Sequence, residues 1–178
     1  MITTAPPGSF IERERKYRLT EPLASALEAQ LRREGKFIRH EVQHSVMLGG
    51  DEGRVHRGTQ LRLRTVDGQT SLTFKGPKRV LGLDKARREV TVLIGEGPIL
   101  EILAGVGLLP TVRYIKDSLI FKYKRVLVSV DRLKGLGVFC EIECHDMTTD
   151  LDAIARSLDL SEDAYEPRGY PTLAAASR

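Results

Sequence analysis

The sequence predicts an α+β domain, an antiparallel sheet of eight strands with three flanking helices. Three observations lead there. Apolar and polar residues alternate with a period of two along most of the chain, the mark of half-buried strands. Helical spacing is confined to three short stretches. Asp67-Gly68 separates two alternating segments, as a tight hairpin turn does. The 178 residues hold no linker long enough to divide them, so one domain over 1–178 is expected.

The elements follow in order. A first strand covers Phe10 to Arg18. A helix comes next, with Thr20 as N-cap, Pro22 in the first turn, a stripe of Leu23, Leu27 and Leu31, and Gly35 as its end. A second strand runs from Phe37 to Leu48. Gly49 to Gly58 is glycine-rich and polar, hence a flexible loop. The hairpin then pairs Gln60–Val66 with Thr70–Lys75, and Gly76-Pro77 ends it. Lys85 to Ile94 is the fifth strand, and Pro98 to Val106 a short helix. Val112–Lys122, Val126–Arg132 and Val138–His145 complete the strands. A last helix starts at Thr149, whose spacing to Asp152 fits a capping box, and ends near Leu158.

Composition excludes several classes. No run approaches the ~20 apolar residues of a membrane helix. Met1 to Ser9 has no basic patch followed by an apolar stretch, so it is no secretory signal. A cytoplasmic protein that binds no membrane is the expectation. The net charge of +4 is too mild for a nucleic-acid binder but suits small anions. On one strand Cys140 and Cys144 would sit roughly 13 Å apart, too far for a disulfide. They read as reduced, buried residues. The four histidines show no zinc-ligand spacing with them.

The strand faces carry the functional signal. Glu12, Glu14 and Lys16 share one face of the first strand. Arg62 and Arg64 share a face of the third, Lys75 and Thr73 of the fourth, Arg87 and Glu89 of the fifth. Ser129 and Asp131 share a face of the seventh, Glu141 and Glu143 of the eighth. A half-exposed sheet with its charges in water is one reading. Against it, the charges come in like-signed blocks, which repel unless opposite charge lies between them. Eight antiparallel strands are also about the number at which a sheet closes on itself, turning those faces inward. Buried charge is costly unless paired or solvated. A ligand needing both signs, such as a metal–polyphosphate complex, fits: carboxylates are hard ligands for Mg²⁺ or Mn²⁺, and Arg and Lys donate to phosphate.

Glu12-Arg13-Glu14-Arg15-Lys16 resembles the ExExK motif of the CYTH superfamily, the triphosphate tunnel metalloenzymes. Arg62-Leu63-Arg64, Lys75 in Thr73-Phe74-Lys75-Gly76-Pro77, Arg87-Arg88-Glu89, Asp131 and the run Gly135 to Glu143 follow in family order. Arg168-Gly169-Tyr170-Pro171-Thr172-Leu173 is similar to a closing segment of the class IV adenylyl cyclase branch. The resemblance implies a closed eight-stranded antiparallel β-barrel, a triphosphate tunnel, with flanking helices. It implies Mg²⁺ or Mn²⁺ as cofactor, held by Glu12, Glu14 and Glu143, with Glu141 and Asp131 close behind. For Asp131 an ion pair with a tunnel arginine is an equal alternative. It implies triphosphate binding by Arg62, Arg64, Lys75 and Arg87 together with Lys16, a catalytic candidate that would steady the leaving group or tune the attacking water.

Two departures stand out. Where the family often has a Lys-x-Arg pair on the sixth strand, this chain has Tyr114 and Lys116, or Arg113 in a shifted register. Lys116 is the expected phosphate contact there. Where the cyclase branch often has Tyr-Phe-Asp, the stretch Gln43 to Gly50 reads differently, which favours triphosphate hydrolysis over cyclisation of ATP. The expected partner is inorganic triphosphate, ATP or thiamine triphosphate, with a homodimer left open. A non-catalytic polyphosphate or nucleotide binder is a further alternative. A nucleic-acid surface of Arg13, Arg15, Arg32 and Arg33 is weighed against plain solvation of those side chains, which is the reading adopted.

Overall fold

In the computed structural model, residues 8–49 and 58–177 are described. Nearly all of the predicted glycine-rich loop, residues 50–57, lies outside them. The strands are β1 (Gly8–Leu19), β2 (Lys36–Gly49), β3 (Gln60–Val66), β4 (Gln69–Lys75), β5 (Arg79–Leu81), β6 (Asp84–Ile94), β7 (Leu109–Tyr123), β8 (Val126–Leu133) and β9 (Gly137–Cys144). The helices are α1 (Glu21–Glu34), α2 (Ile99–Gly105), α3 (Leu151–Ser157) and α4 (Tyr170–Ala176).

Eight strands form a closed antiparallel barrel in the order β1-β9-β8-β7-β2-β3-β4-β6. The ring shuts where β1 pairs with β6, setting Glu12 opposite Arg87 and Glu14 opposite Lys85. The predicted hairpin forms as read. Asp67 and Gly68 both have positive φ, 48° and 78°, the backbone that a two-residue primed turn requires.

The sequence reading missed one strand and one α-helix among the described residues, besides a 3-10 turn at Glu162–Ala164. β5 is a three-residue strand that pairs with the start of β6, beyond the point where β4 ends at Lys75. All three residues are exposed, so no alternation marked it. α4 opens with Pro171 in its first turn, a helix-start signal that was not taken up.

Two local expectations are corrected. Thr20 caps α1 and Gly35 N–H closes it on Leu31 O at 2.9 Å, as expected. Its buried stripe, however, is Ala24, Leu27 and Leu31, while Leu23 is 56% exposed. The capping box at Thr149 does not form. Thr149 Oγ1 instead donates to Asp146 Oδ2 at 2.8 Å, and Asp150 caps α3 by accepting from Ala153 N at 2.9 Å. A carboxylate one residue later competes better for the orphan N–H groups of the helix.

The apolar core lies outside the barrel wall. Val126, Val128, Val130, Cys140, Ile142 and Cys144 project outward from β8 and β9 against Leu27 and Leu31 of α1 and Leu151 and Ile154 of α3. Both cysteines are free and buried. A second cluster packs α2, through Leu103, on Leu48 and Leu63. With the outward faces holding most of the hydrophobic contacts, the inward faces are left mainly to polar side chains, apart from a cluster of Met47, Tyr114, Phe139 and Tyr170.

Arg13 and Arg15 depart from the expected solvated surface. They point outward from β1 yet are buried, beneath the start of β6 and the approach to α3. Arg15 donates to Asp84 Oδ1 through Nε at 2.8 Å and to Asp152 Oδ1 through Nη1 at 2.6 Å. Arg13 Nε lies 3.2 Å from Asp84 Oδ2, and its Nη2 donates to Thr149 O. Neither guanidinium is available to nucleic acid. Arg32 and Arg33 are exposed, Arg32 over the Phe37 ring and Arg33 paired with Glu34.

Candidate functional site

Closure of the ring turns the charged strand faces into one lumen. A pocket open to solvent lies inside it. Glu12, Glu14 and Lys16 line it from β1, Arg62 and Arg64 from β3, Lys75 from β4, Arg87 from β6, Lys116 from β7, and Glu141 and Glu143 from β9. The structure therefore gathers every candidate site residue except Asp131. The question at the sixth predicted strand is also resolved. Lys116 and Tyr114 face the lumen, both buried, and Arg113 is exposed.

Like charges do not stand alone in this lumen. Glu89, fully buried, pairs with Lys75 and with Arg87 Nε, the latter at 3.0 Å. Arg87 Nη1 donates to Gln60 Oε1 at 3.1 Å. Lys16 Nζ lies 3.2 Å from Glu141 Oε1, and Lys116 Nζ lies 3.7 Å from Glu141 Oε2. Arg39 pairs with Glu41 at 2.7 Å. Among the described residues the lining holds eight Lys and Arg side chains against four Glu; Glu41, Glu89 and Asp131 behind it offset most of that difference, and the clustered donors still suit a polyanion.

Asp131 sits behind the lining and is occupied. It is fully buried and accepts from Lys116 Nζ at 2.9 Å, Ser118 Oγ at 2.5 Å, Ser129 Oγ at 3.0 Å and Tyr170 OH at 2.7 Å. Burial would raise its pKa, but Lys116 and these hydrogen bonds outweigh that and hold it below the usual carboxylate range. Three of the four donors converge on Oδ2 and Ser118 alone reaches Oδ1, so the charge is matched by Lys116 and the carboxylate is held in place from both oxygens. Of its two predicted roles, this geometry is that of an ion pair.

The remaining carboxylates differ. Burial pushes the Glu12 carboxyl well above its ordinary range. Lys75 opposes that, while Glu143, Glu89 and Glu14 push the same way. Glu12 Oε1 accepts from no described donor, Lys75 and Arg87 standing off at 3.5 and 3.8 Å, while the Glu12 carboxyl hydrogen-bonds with the Glu89 side chain. Burial acts on Glu14 too, but Arg87, Lys16, Lys75 and Lys85 override it and hold Glu14 well down. Among the described residues no three His, Cys, Asp or Glu side chains converge to cage a metal ion. Mg²⁺ rarely needs such a cage: it takes one or two carboxylates and completes its shell with water and substrate phosphates. The orphaned Glu12 oxygen, beside Glu14 and Glu143, fits that mode.

Several lining residues were missed. Tyr170, from α4, closes one end beside Gly169 and Pro171. Its ring lies 3.7 Å from Lys16 Nζ and packs edge-on to Phe139. Lys16 Nζ also donates to Arg168 O at 3.2 Å, so the C-terminal segment holds this lysine in place. Tyr114 fills the position of the missing basic contact. Burial would raise its phenol, but Arg62 and Arg64 pull it below normal, which strengthens it as a hydrogen-bond donor. Arg39 and Lys78 complete the set. Arg39 sat on an alternating strand and was legible by parity. Lys78 lies in a connection, where parity says nothing.

The comparisons with known proteins agree with this architecture. The family model described as the CYTH domain matches residues 11–170. A proposed adenylate cyclase from Methanocaldococcus jannaschii is 34% identical over 120 residues, which are 64% of this chain and 66% of that protein, just under two thirds of its length. Among solved structures, a conserved hypothetical protein from Pyrococcus furiosus superposes with a TM-score of 0.78 at 25% identity, over 91% of this chain and 99% of that one. A proposed adenylyl cyclase from Hippeastrum, described as having a dominant triphosphatase activity, superposes with a TM-score of 0.66 at 15% identity, over 90% and 91%. No helix among the described residues is long and apolar enough to cross a membrane.

Proposed function

Because the chain belongs to the CYTH domain family, we propose that it is a divalent-metal-dependent enzyme that hydrolyses a triphosphate bound in the barrel lumen. The observation that carries this reading is the clustering of eight cationic side chains in a lumen that also holds the buried Glu12 carboxyl beside Glu14 and Glu143. Arg62, Arg64, Lys75, Arg87 and Lys116 bind the phosphate chain, Arg by two donors at once. One or two of Glu12, Glu14 and Glu143 would hold Mg²⁺ or Mn²⁺, with water and phosphate oxygens completing its shell; when bound it would supply Lewis-acid charge to phosphate oxygens and make an attacking water more acidic. Lys16, steered by Glu141, Arg168 O and the Tyr170 ring, donates to the oxygen on which charge develops. Asp131 orients Lys116 rather than binding metal.

Hydrolysis is favoured over cyclisation by what the lining offers a nucleobase. Its two aromatic rings are engaged, Tyr114 among arginines and Tyr170 against Lys16. The second reading, conversion of ATP to cyclic AMP and pyrophosphate, is supported by the cyclase name of the M. jannaschii relative. The Hippeastrum protein carries a cyclase name together with a triphosphatase activity, so such a name does not separate the two reactions. Incubation with inorganic triphosphate, ATP and thiamine triphosphate, each with Mg²⁺ or Mn²⁺, tests both. Orthophosphate supports hydrolysis, and cyclic AMP with pyrophosphate replaces it by the cyclase. Tight triphosphate binding without turnover would leave only a polyphosphate binder.

A further inference from the structure

We infer that Lys78 is a further phosphate contact, placed at the tunnel mouth to take one end of the bound triphosphate; this rests on the triphosphate reading above. Lys78 follows Gly76-Pro77, where β4 stops, and its side chain lines the pocket. Lys16, Lys75, Arg87 and Lys116 all form salt bridges with carboxylates. Lys78 lines the same pocket and makes no hydrogen bond or ion pair with any described residue.

Its surroundings are mostly cationic. Arg87 and Lys85 face it from β6, and Lys16 and Glu14 from β1. The C-terminal segment presents Gly169, where an added Cβ would lie 3.6 Å from Lys78 Nζ. Glu14, an acidic group whose field reaches it, is itself under the pull of Arg87, Lys16, Lys75 and Lys85. Lys78 is exposed as a residue, but its ammonium end lines the pocket beside Gly169, and that partial burial first, and then Arg87, push it down to about 8. No carboxylate of the described residues lies within ion-pair distance of it, so its charge is uncompensated inside a pocket of other cations. A bound phosphate supplies the missing opposite charge and acceptors for the ammonium donors.

Calorimetric titration of inorganic triphosphate into the parent protein, Lys78→Gln and Lys78→Arg tests this, with Lys124→Gln as a control for net charge. Lys78→Gln is expected to bind roughly tenfold more weakly, as loss of a charge-assisted hydrogen bond predicts. Lys78→Arg should keep most of the affinity, and Lys124→Gln all of it. Repeating the titration at pH 8 in buffers of different ionisation enthalpy counts protons. The parent should take up more than either Lys78 variant, because bound phosphate restores the ammonium. Equal affinity of parent and Lys78→Gln, or equal proton uptake across the three, would refute the role of Lys78 while leaving the triphosphate reading standing. A parent protein that does not bind triphosphate would remove both.

Discussion

Replacing Asp131 by Asn separates a structural ion pair from a metal ligand. The change keeps the shape and removes the charge. Lys116 then loses its 2.9 Å partner inside a fully buried site. The new amide also brings two hydrogens into a position where four donors converge from Lys116, Ser118, Ser129 and Tyr170. Removing one member of a buried pair costs about 3–5 kcal/mol. Lys116 keeps Glu141 at 3.7 Å, which places the expected loss near the lower end. At about 3 kcal/mol, a domain of this size should melt roughly 6–12 °C lower. The assay is thermal or urea unfolding in metal-free buffer, with Ser118→Ala and Tyr170→Phe as partial deletions worth about 1 kcal/mol each. A metal ligand behaves in the opposite way: its loss leaves metal-free stability intact and abolishes the stabilisation given by Mg²⁺ or Mn²⁺. Asp131→Asn within about 1 kcal/mol of the parent in metal-free buffer would refute the ion-pair account.

Glu12→Gln should abolish Mn²⁺- or Mg²⁺-dependent turnover while metal-free stability stays equal or rises by about 1 kcal/mol, since the buried carboxylate is unfavourable as it stands; a large drop in melting temperature would contradict this. Arg15→Ala should cost about 1–3 kcal/mol, since Asp84 keeps only Arg13 at 3.2 Å and the buried Arg15 stem loses its packing, with triphosphate affinity unchanged in calorimetry. Loss of affinity at retained stability would bring Arg15 back into the ligand site. Glu89 is lowered to about 2, burial being outweighed by Lys75 and Arg87. Its contribution to stability is thus fully present above its unfolded pKa of about 4.5 and is lost as pH falls through about 2. Glu89→Gln should flatten the acid limb of a stability-against-pH curve, and an unchanged limb would show that Glu89 does not hold the lumen together.

Much of the fold was legible because a strand declares its own two faces. Glu12, Glu14 and Lys16 on β1, and Glu141 and Glu143 on β9, were grouped by parity alone, and the lumen groups them the same way. The same parity put Arg13 and Arg15 on the opposite face but could not tell that Asp84 and Asp152 would cover them. Thr149 and Asp150 offered two rival caps one residue apart, and the competition turned on Asp146 occupying Thr149. β5 and Lys78 lay in a connection without periodic signal. Tyr170 was quoted in a motif, yet its reach to Lys16 spans most of the chain.

By itself the sequence determined the strands, their charged faces, the Asp67-Gly68 turn and the order of motifs that identifies the family. All of these are local, set by side chains at fixed separations along one backbone. Only the tertiary structure decided that the sheet shuts at the β1–β6 seam, that Asp131 is consumed by four donors, and that the C-terminal helix brings Tyr170 beneath the lumen lysines. Those facts depend on pairings between residues far apart in the chain. Whether a buried carboxylate is a free ligand or a satisfied ion pair depends on which donors reach it, and no spacing along a strand records that.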